Sequence, residues 1–434
     1  MSTTLAGLRE KLSRRMGYYL EGTTTSDGAA GGTTFINSGL ADKANDYFND
    51  WYAKITSGTY TGQVRRISDF VQSTGTVTLY VAFGGQILSG ITYELHRTNP
   101  DDKDTLIKEA LRQIYPDLYK PVIDESLISG NWLRDGDFED WSAAAALRYY
   151  TENSSITLAQ ETSIKLFGTK SAKMTSGGAN AYRGQTASDT PGLLDLGGYE
   201  VTFKAWCYCA TASHARLEIY TVDKDGTAQQ VQSDYHPGDS RWHILTKTLT
   251  LNDDLRTIAF RFRGDVNAAI AYWDYARVTG IYLYSYLLQP TIERLDQVWL
   301  QAEANMETDE DPCDDRDEIY PFNELLGWRL QDDGTNRILR IPYAHETERK
   351  LRLIGTTFLS QPTADSGTTE IDEPETDVVV AYVASMIHTQ QLGTLPADEL
   401  GRAQPLAAFW QGEYERLKRK HRMISPARPW PSWS

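Results

Sequence analysis

The chain has 434 residues, 40% hydrophobic and 24% charged, which is globular composition in a length too great for one ordinary core. Its formal net charge of −16 excludes a protein that grips nucleic acid by releasing counterions, and leaves DNA only as a passing cargo. Cys207, Cys209 and Cys313 are too few and wrongly spaced for a disulfide framework or a zinc site. No apolar run approaches a membrane span, and the start Met1-Ser2-Thr3 predicts no signal peptide.

Leu5, Leu8, Leu12, Met16 and Leu20 recur at intervals of three and four, which predicts an amphipathic helix over 4–20. The Gly/Thr-rich stretch 22–32 reads as a loop or arm. Alternation at 76–81 and 93–96, punctuated by glycines, predicts a small antiparallel barrel or sheet over 51–97. Asn99 and Pro100 then mark the start of a helix with Leu106, Ile107, Ala110, Leu111 and Ile114 on its apolar face.

From about 130 the pattern changes to strands without helices. In 199–209, Val201, Phe203, Ala205, Cys207 and Cys209 fall on one face, and Thr202, Lys204, Trp206 and Tyr208 on the other. Further strands are predicted at 156–158, 171–175, 215–222, 242–249, 257–264 and 270–278, so the block is expected to be a sandwich or jelly roll. After 288 come hairpins and an acidic run at Glu307–Glu318, which suits a solvated loop or, more sharply, a negative lining. Two helices follow, and the chain closes with a Pro-rich tail containing Arg428, Trp430 and Trp433. Exposed tryptophans of this kind suit docking into a neighbouring subunit.

The expected domains are 1–128 (helix, small sheet, helix), an inserted jelly roll at 129–288, a second host part at 289–424 and a docking tail at 425–434. The expected fold class is α+β multidomain, a helical adaptor-like core with small antiparallel β regions and the inserted all-β jelly roll.

No phosphate-binding glycine loop, zinc-protease or nucleophile-elbow motif occurs, and the seven histidines show no metal-ligand spacing, so no enzyme is expected.

The block resembles carbohydrate-binding-module-type jelly rolls. The opening Leu133-Arg134-Asp135-Gly136-Asp137-Phe138-Glu139-Asp140-Trp141, the middle Phe167-Gly168-Thr169-Lys170-Ser171-Ala172-Lys173 and the ending Ala271-Tyr272-Trp273-Asp274-Tyr275-Ala276-Arg277-Val278 carry the likeness. The resemblance implies a structural calcium held by Glu139 and Asp274, against the alternative of plain surface carboxylates at strand ends. It also implies glycan contacts through exposed aromatics such as Trp206, Tyr208 or Tyr220, which equally suit packing against neighbouring strands.

The flanking parts resemble head–tail junction proteins of tailed bacteriophages. The likeness lies in 20–24, 58–69, 93–97, 106–116, 349–355 and 375–382. It implies a virion protein, a head-to-tail adaptor in a ring of about twelve copies, with the portal and tail or neck proteins as partners. The alternatives are a carbohydrate-binding tail or receptor-binding protein of the virion and, third, a polysaccharide-degrading enzyme with an accessory module.

Overall fold

The computed structural model describes residues 2–288, 292–302, 322–332, 334, 337–393 and 397–423, with backbone alone at 397–400 and 402. The described residues fold as two compact units, one of 2–120 with 356–423 and one within 121–355.

In the first unit, helix α1 (Leu5–Arg15) is capped by Thr4, whose Oγ1 accepts from the Gly7 amide at 3.1 Å. It is shorter than its leucine spacing predicts. Gly17 adopts φ +78°, a left-handed value that ends a helix, and the chain continues as the strand Tyr19–Thr23. That strand is one edge of a six-stranded antiparallel sheet ordered Tyr19–Thr23, Thr92–His96, Tyr52–Ile55, Val64–Val71, Thr76–Leu79, Thr34–Ile36. The expected arm at 22–32 is pinned to this sheet, with Thr24 Oγ1 donating to Leu88 O at 2.7 Å and Gly28 N to Ile87 O at 2.8 Å.

Helix α2 (Pro100–Gln113) is capped by Asn99. It packs with α1, α3 (Glu375–Leu392) and α4 (Ala397–His421) around Leu8, Leu12, Ile107, Leu111, Val379 and Val383. A buried ion network ties sheet, helices and the 365 loop together. The Arg9 guanidinium donates to Asp104 and Asp365 at 2.9 Å and to Glu94 at 3.1 Å, and Lys54 reaches Asp104 and Asp365 at 3.1 Å.

The expected fold class is wrong for this chain. Among the described residues strands take 39% and helices 19%, and four of the five hydrophobic clusters there are built mainly on strands and loops rather than helices. The physical reason is additive. Short alternating stretches that each suggest a minor β region join into whole sheets, while the four α-helices among the described residues share a single cluster.

In the second unit, two five-stranded antiparallel sheets face each other. The first is ordered Glu152–Ser154, Ala181–Thr186, Leu255–Gly264, Ala215–Asp223, Ala228–Gln232. The second is ordered Ile156–Glu161, Ser171–Ser176, Ile270–Thr279, Glu200–Cys209, Arg241–Thr250. Strands adjacent in a sheet are mostly distant in sequence, the crossing pattern of a jelly roll. Phe138, Phe203, Phe260, Phe262, Trp273, Cys207 and Cys209 fill the space between the sheets. A three-stranded sheet (Ser285–Leu287, Arg337–Arg340, Arg329–Asp332) and a four-stranded one follow in the same unit.

Candidate functional site

The outward face of the first sandwich sheet carries an unusual set of side chains. Period-two alternation sends Ala215, Leu217 and Ile219, and on the neighbouring strand Ile258, Phe260 and Phe262, into the core. Arg216, Glu218 and Tyr220, with Arg261 and Arg263, must then stand on the other face. The register aligns them across strands. One rung runs Glu152, Gly184, Arg261, Glu218, Gln232 across all five strands. The next holds Ser154, Tyr182, Arg263 and Arg216. Gly184 matters because a Cβ there would lie 2.6 Å from Phe260 O and 3.1 Å from Arg261 Cγ. Its absence lets Arg261 Nε cross to Glu152 Oε2 at 3.0 Å.

Glu218 is fully buried on this face and accepts four hydrogen bonds. Arg261 Nη1 donates at 3.0 Å, Gln230 Nε2 and Gln232 Nε2 at 2.7 Å each, and Arg263 Nη1 completes the set. Burial alone would raise the Glu218 carboxyl, but bonds from Gln232, Gln230, Arg263 and Arg261 hold it below the usual carboxylate range. The Arg261 guanidinium carbon sits 4.3 Å from the Tyr182 ring centroid and 4.1 Å from that of Tyr220, so the cation is sandwiched between two rings. Asp265 accepts from Tyr235 at 2.7 Å and pairs with Arg216 at 2.6 Å. Three arginines (216, 261, 263) therefore face three carboxylates (152, 218, 265). The face is charge-balanced and flanked by aromatics. Gln230 is exposed, and Tyr182, Tyr220, Glu152 and Gln232 are half-buried.

Of the expected glycan contacts, only Tyr220 lies here. Trp206 and Tyr208 belong to Glu200–Cys209 in the opposite sheet. Trp206 does point away from the core, but Ile128, Tyr275, Leu166 and Phe167 pack over it and leave it 3% exposed, which removes it as a stacking platform. Tyr208 packs against Trp242 and Tyr272, with ring centroids 5.8 and 5.7 Å away. The three residues form no common site.

Glu139 and Asp274 converge on the loop between Glu161 and Ser171. Glu139 Oε1 accepts from the Lys170 amide at 2.9 Å and from the Thr169 amide, and Oε2 from the Thr169 hydroxyl. Asp274 accepts from the amides of Leu166 at 2.8 Å, Phe167 at 3.1 Å and Tyr275 at 2.8 Å. Burial pushes the Asp274 carboxyl up to about 7 against these bonds, with the Glu139 charge adding to the rise. Calcium takes six or more oxygens. Here Glu139 Oε1 and Asp274 Oδ2 each accept two amides, and Glu139 Oε2 and Asp274 Oδ1 one donor each, so the pair keeps about two lone pairs, far short of that number. Lys165 Nζ donates to Gly168 O at 2.7 Å and Lys170 Nζ to Glu139 O at 3.4 Å, so ammonium groups stand on nearby carbonyls. This donor set does not fit calcium.

Sequence spacing misses one group. His236, Asp239 and His243 bring ligand atoms within 4.8 Å of one another. However, His236 Nδ1 accepts from the Gly238 amide at 2.9 Å and Nε2 donates to Arg241 O at 3.0 Å, so neither ring nitrogen has a lone pair free for a metal. Arg428, Trp430, Trp433 and the acidic run Glu307–Glu318 lie outside the described residues.

Sequence reasoning also misses Glu218, Arg261, Arg263 and Tyr182. Their outward placement is written in the Leu-Glu-Ile and Phe-Arg-Phe-Arg alternations, but the pairing of strands some 40 residues apart is not.

No family model and no curated protein sequence matches this chain. Among solved structures it is similar to the CBM22-1 xylan-binding domain of Paenibacillus barcinonensis Xyn10C, at 12% identity over 38% of this chain and 99% of that one, TM-score 0.29. It is similar to the C-terminal family 22 carbohydrate binding module of Clostridium thermocellum Xyn10B, at 14% identity over 30% and 93%, TM-score 0.25. It is also similar to the enzymatically active domain of bacteriophage CBA120 tailspike protein 4, at 15% identity over 35% of this chain but only 22% of that one, TM-score 0.28. At these TM-scores the likeness carries no property of those proteins to this chain.

Proposed function

We propose that this chain is a carbohydrate-binding protein whose inserted jelly roll holds a neutral glycan across its first sheet. The observation that carries this reading is the Arg261 guanidinium held between Tyr182 and Tyr220 above the buried Glu218. Sugar recognition needs flat aromatic surface for the apolar ring faces, and fixed, bidentate-capable donors and acceptors for the hydroxyls. Tyr182 and Tyr220 offer the first, and the amide oxygens of Gln230 and Gln232, whose nitrogens are held by Glu218, offer acceptors already ordered, so binding costs little side-chain entropy. Its equal count of cations and carboxylates offers no surplus charge for an acidic or a phosphorylated ligand.

The reading is of binding without turnover. A glycosidase needs a carboxyl free to donate a proton, whereas Glu152 and Glu218 are both committed to Arg261. The phage particle implied by the sequence resemblance gives this binding a setting, a virion protein that attaches to surface glycans. The ring-adaptor reading expects a helix-dominated chain, whereas helices build one of the five hydrophobic clusters among the described residues and strands build most of the rest.

A glycan array probed with the full chain tests the proposal. Binding to neutral polysaccharide fragments is expected, and it should be lost in Tyr220→Ala. Release of reducing sugar from bound glycan would contradict the non-enzymatic part.

A further inference from the structure

A second place in the same unit has the attributes of a sugar site and stands apart from the sheet face. It is a cavity of about 500 Å³, within the span of small-ligand sites. It is lined by Trp132 and Tyr149 from the sandwich, by Tyr282 and Tyr284 from the segment leaving it, and by Asp195 and Arg340.

The local structure explains how these groups meet. Tyr282 and Tyr284 are two apart, so an extended chain presents both on one side. Their ring centroids are 6.4 Å apart with planes at 41°, a tilted pair rather than a closed stack. They are 55% and 45% exposed, far above what a core tyrosine shows. Trp132 Nε1 donates to Ile281 O at 3.1 Å, which fixes the indole as a wall. Asp195 sits on the short helix Pro191–Leu196, and Arg340 Nε lies 3.4 Å from Ser285 Oγ.

We propose that this cavity is a second carbohydrate pocket, taking a single sugar or the end of a chain rather than a length of polymer. The aromatic residues suit the apolar faces of a pyranose. A carboxylate and a guanidinium in the same lining suit its hydroxyls, since a wholly apolar ligand would strip water from both without replacing it. The proposal rests on the carbohydrate-binding reading of the sandwich, though on different residues.

Calorimetric titration of the full chain with the glycans it retains on an array, and with their mono- and disaccharide units, tests it. Two classes of site are expected, one removed by Tyr220→Ala and the other weakened at least tenfold by Tyr282→Ala with Tyr284→Ala. Short sugars should be lost only in the second variant. Both tyrosines are exposed, so the variant should melt where the wild type does, and a shifted melt would be answered by the paired phenylalanine variant, which keeps the rings and should keep binding. A single class of site, abolished by Tyr220→Ala and untouched by the Tyr282/Tyr284 variant, would overturn the second pocket and leave the first reading intact. No retention of any glycan by the wild type would overturn both.

Discussion

Arg261 and Glu218 stand directly opposite each other on neighbouring antiparallel strands, and Arg261 Nη1 donates to Glu218 Oε1 at 3.0 Å with both side chains largely out of water. A pair so placed is worth little as net stability, because both ions lose hydration. Its removal from one side is costly, because the other charge is stranded.

Glu218→Gln should therefore destabilise the sandwich by about 3–5 kcal/mol, since Arg261 and Arg263 lose a shared counter-charge. Urea unfolding followed by tryptophan fluorescence would measure it. Replacing Gln230 by alanine, which removes one neutral donor, should cost only about 1 kcal/mol.

Acid should act through the same carboxylate. Glu218 is held below its unfolded value, so its contribution to stability is complete above the ordinary carboxylate range. It is lost as pH falls through the lower folded value. Taken as the difference between wild type and Glu218→Gln, this contribution should stay level from neutral pH to about pH 5 and fall away below about pH 4. Glu218→Gln, measured by the same titration, should show a shallower acid limb.

Asp135 predicts the opposite slope. Its Oδ1 accepts from the amides of Glu139 at 2.9 Å and Asp140 at 3.0 Å, while its Oδ2 and Asp137 Oδ1 are buried without a donor. Burial pushes the Asp135 carboxyl up to about 7. A raised carboxyl favours folding while protonated, and that advantage fades as pH rises from the unfolded value through the folded one. Asp135→Asn keeps the two amide bonds and adds an N–H for Asp137. It should be more stable than wild type by about 1–3 kcal/mol near pH 8, the gain vanishing toward about pH 4. Denaturant titrations at the two pH values decide it.

Chelation should leave the sandwich unmoved. Amide donors and two lysines hold the 164–170 loop, so EDTA or added calcium should shift the melting temperature by less than about 1 °C, where a bound structural ion would add several. Glu139→Gln keeps an acceptor for the Lys170 amide, whereas Glu139→Ala should cost about 1–3 kcal/mol by orphaning loop donors. A calorimetric scan with and without calcium would expose an ion if one is held.

Much of the sandwich was legible in the sequence, because strict alternation at 199–209 and 257–264 separates core from face residue by residue. The balance of the whole chain was not. Glycine-punctuated strands such as Tyr52–Ile55 and Thr76–Leu79 are too short to announce a six-stranded sheet, and four helices with clear periodicity outweighed them. The candidate site was legible only as single residues. Tyr220 could be placed outward, but nothing local tells that Arg261 lands between it and Tyr182, since register is a long-range property. Trp206 shows the converse limit. Alternation places it outward correctly, yet the 164–170 loop and Ile128 bury it, and coverage by distant segments leaves no periodic trace.

The affinity of the full chain for its best array glycan, measured by calorimetry for wild type and for Tyr182→Ala with Tyr220→Ala at matched thermal stability, tests the sheet face most directly. A loss of at least a hundredfold, about 3 kcal/mol, is expected in the double variant. An unchanged affinity would place the glycan elsewhere and contradict the assignment of this sheet as the binding face.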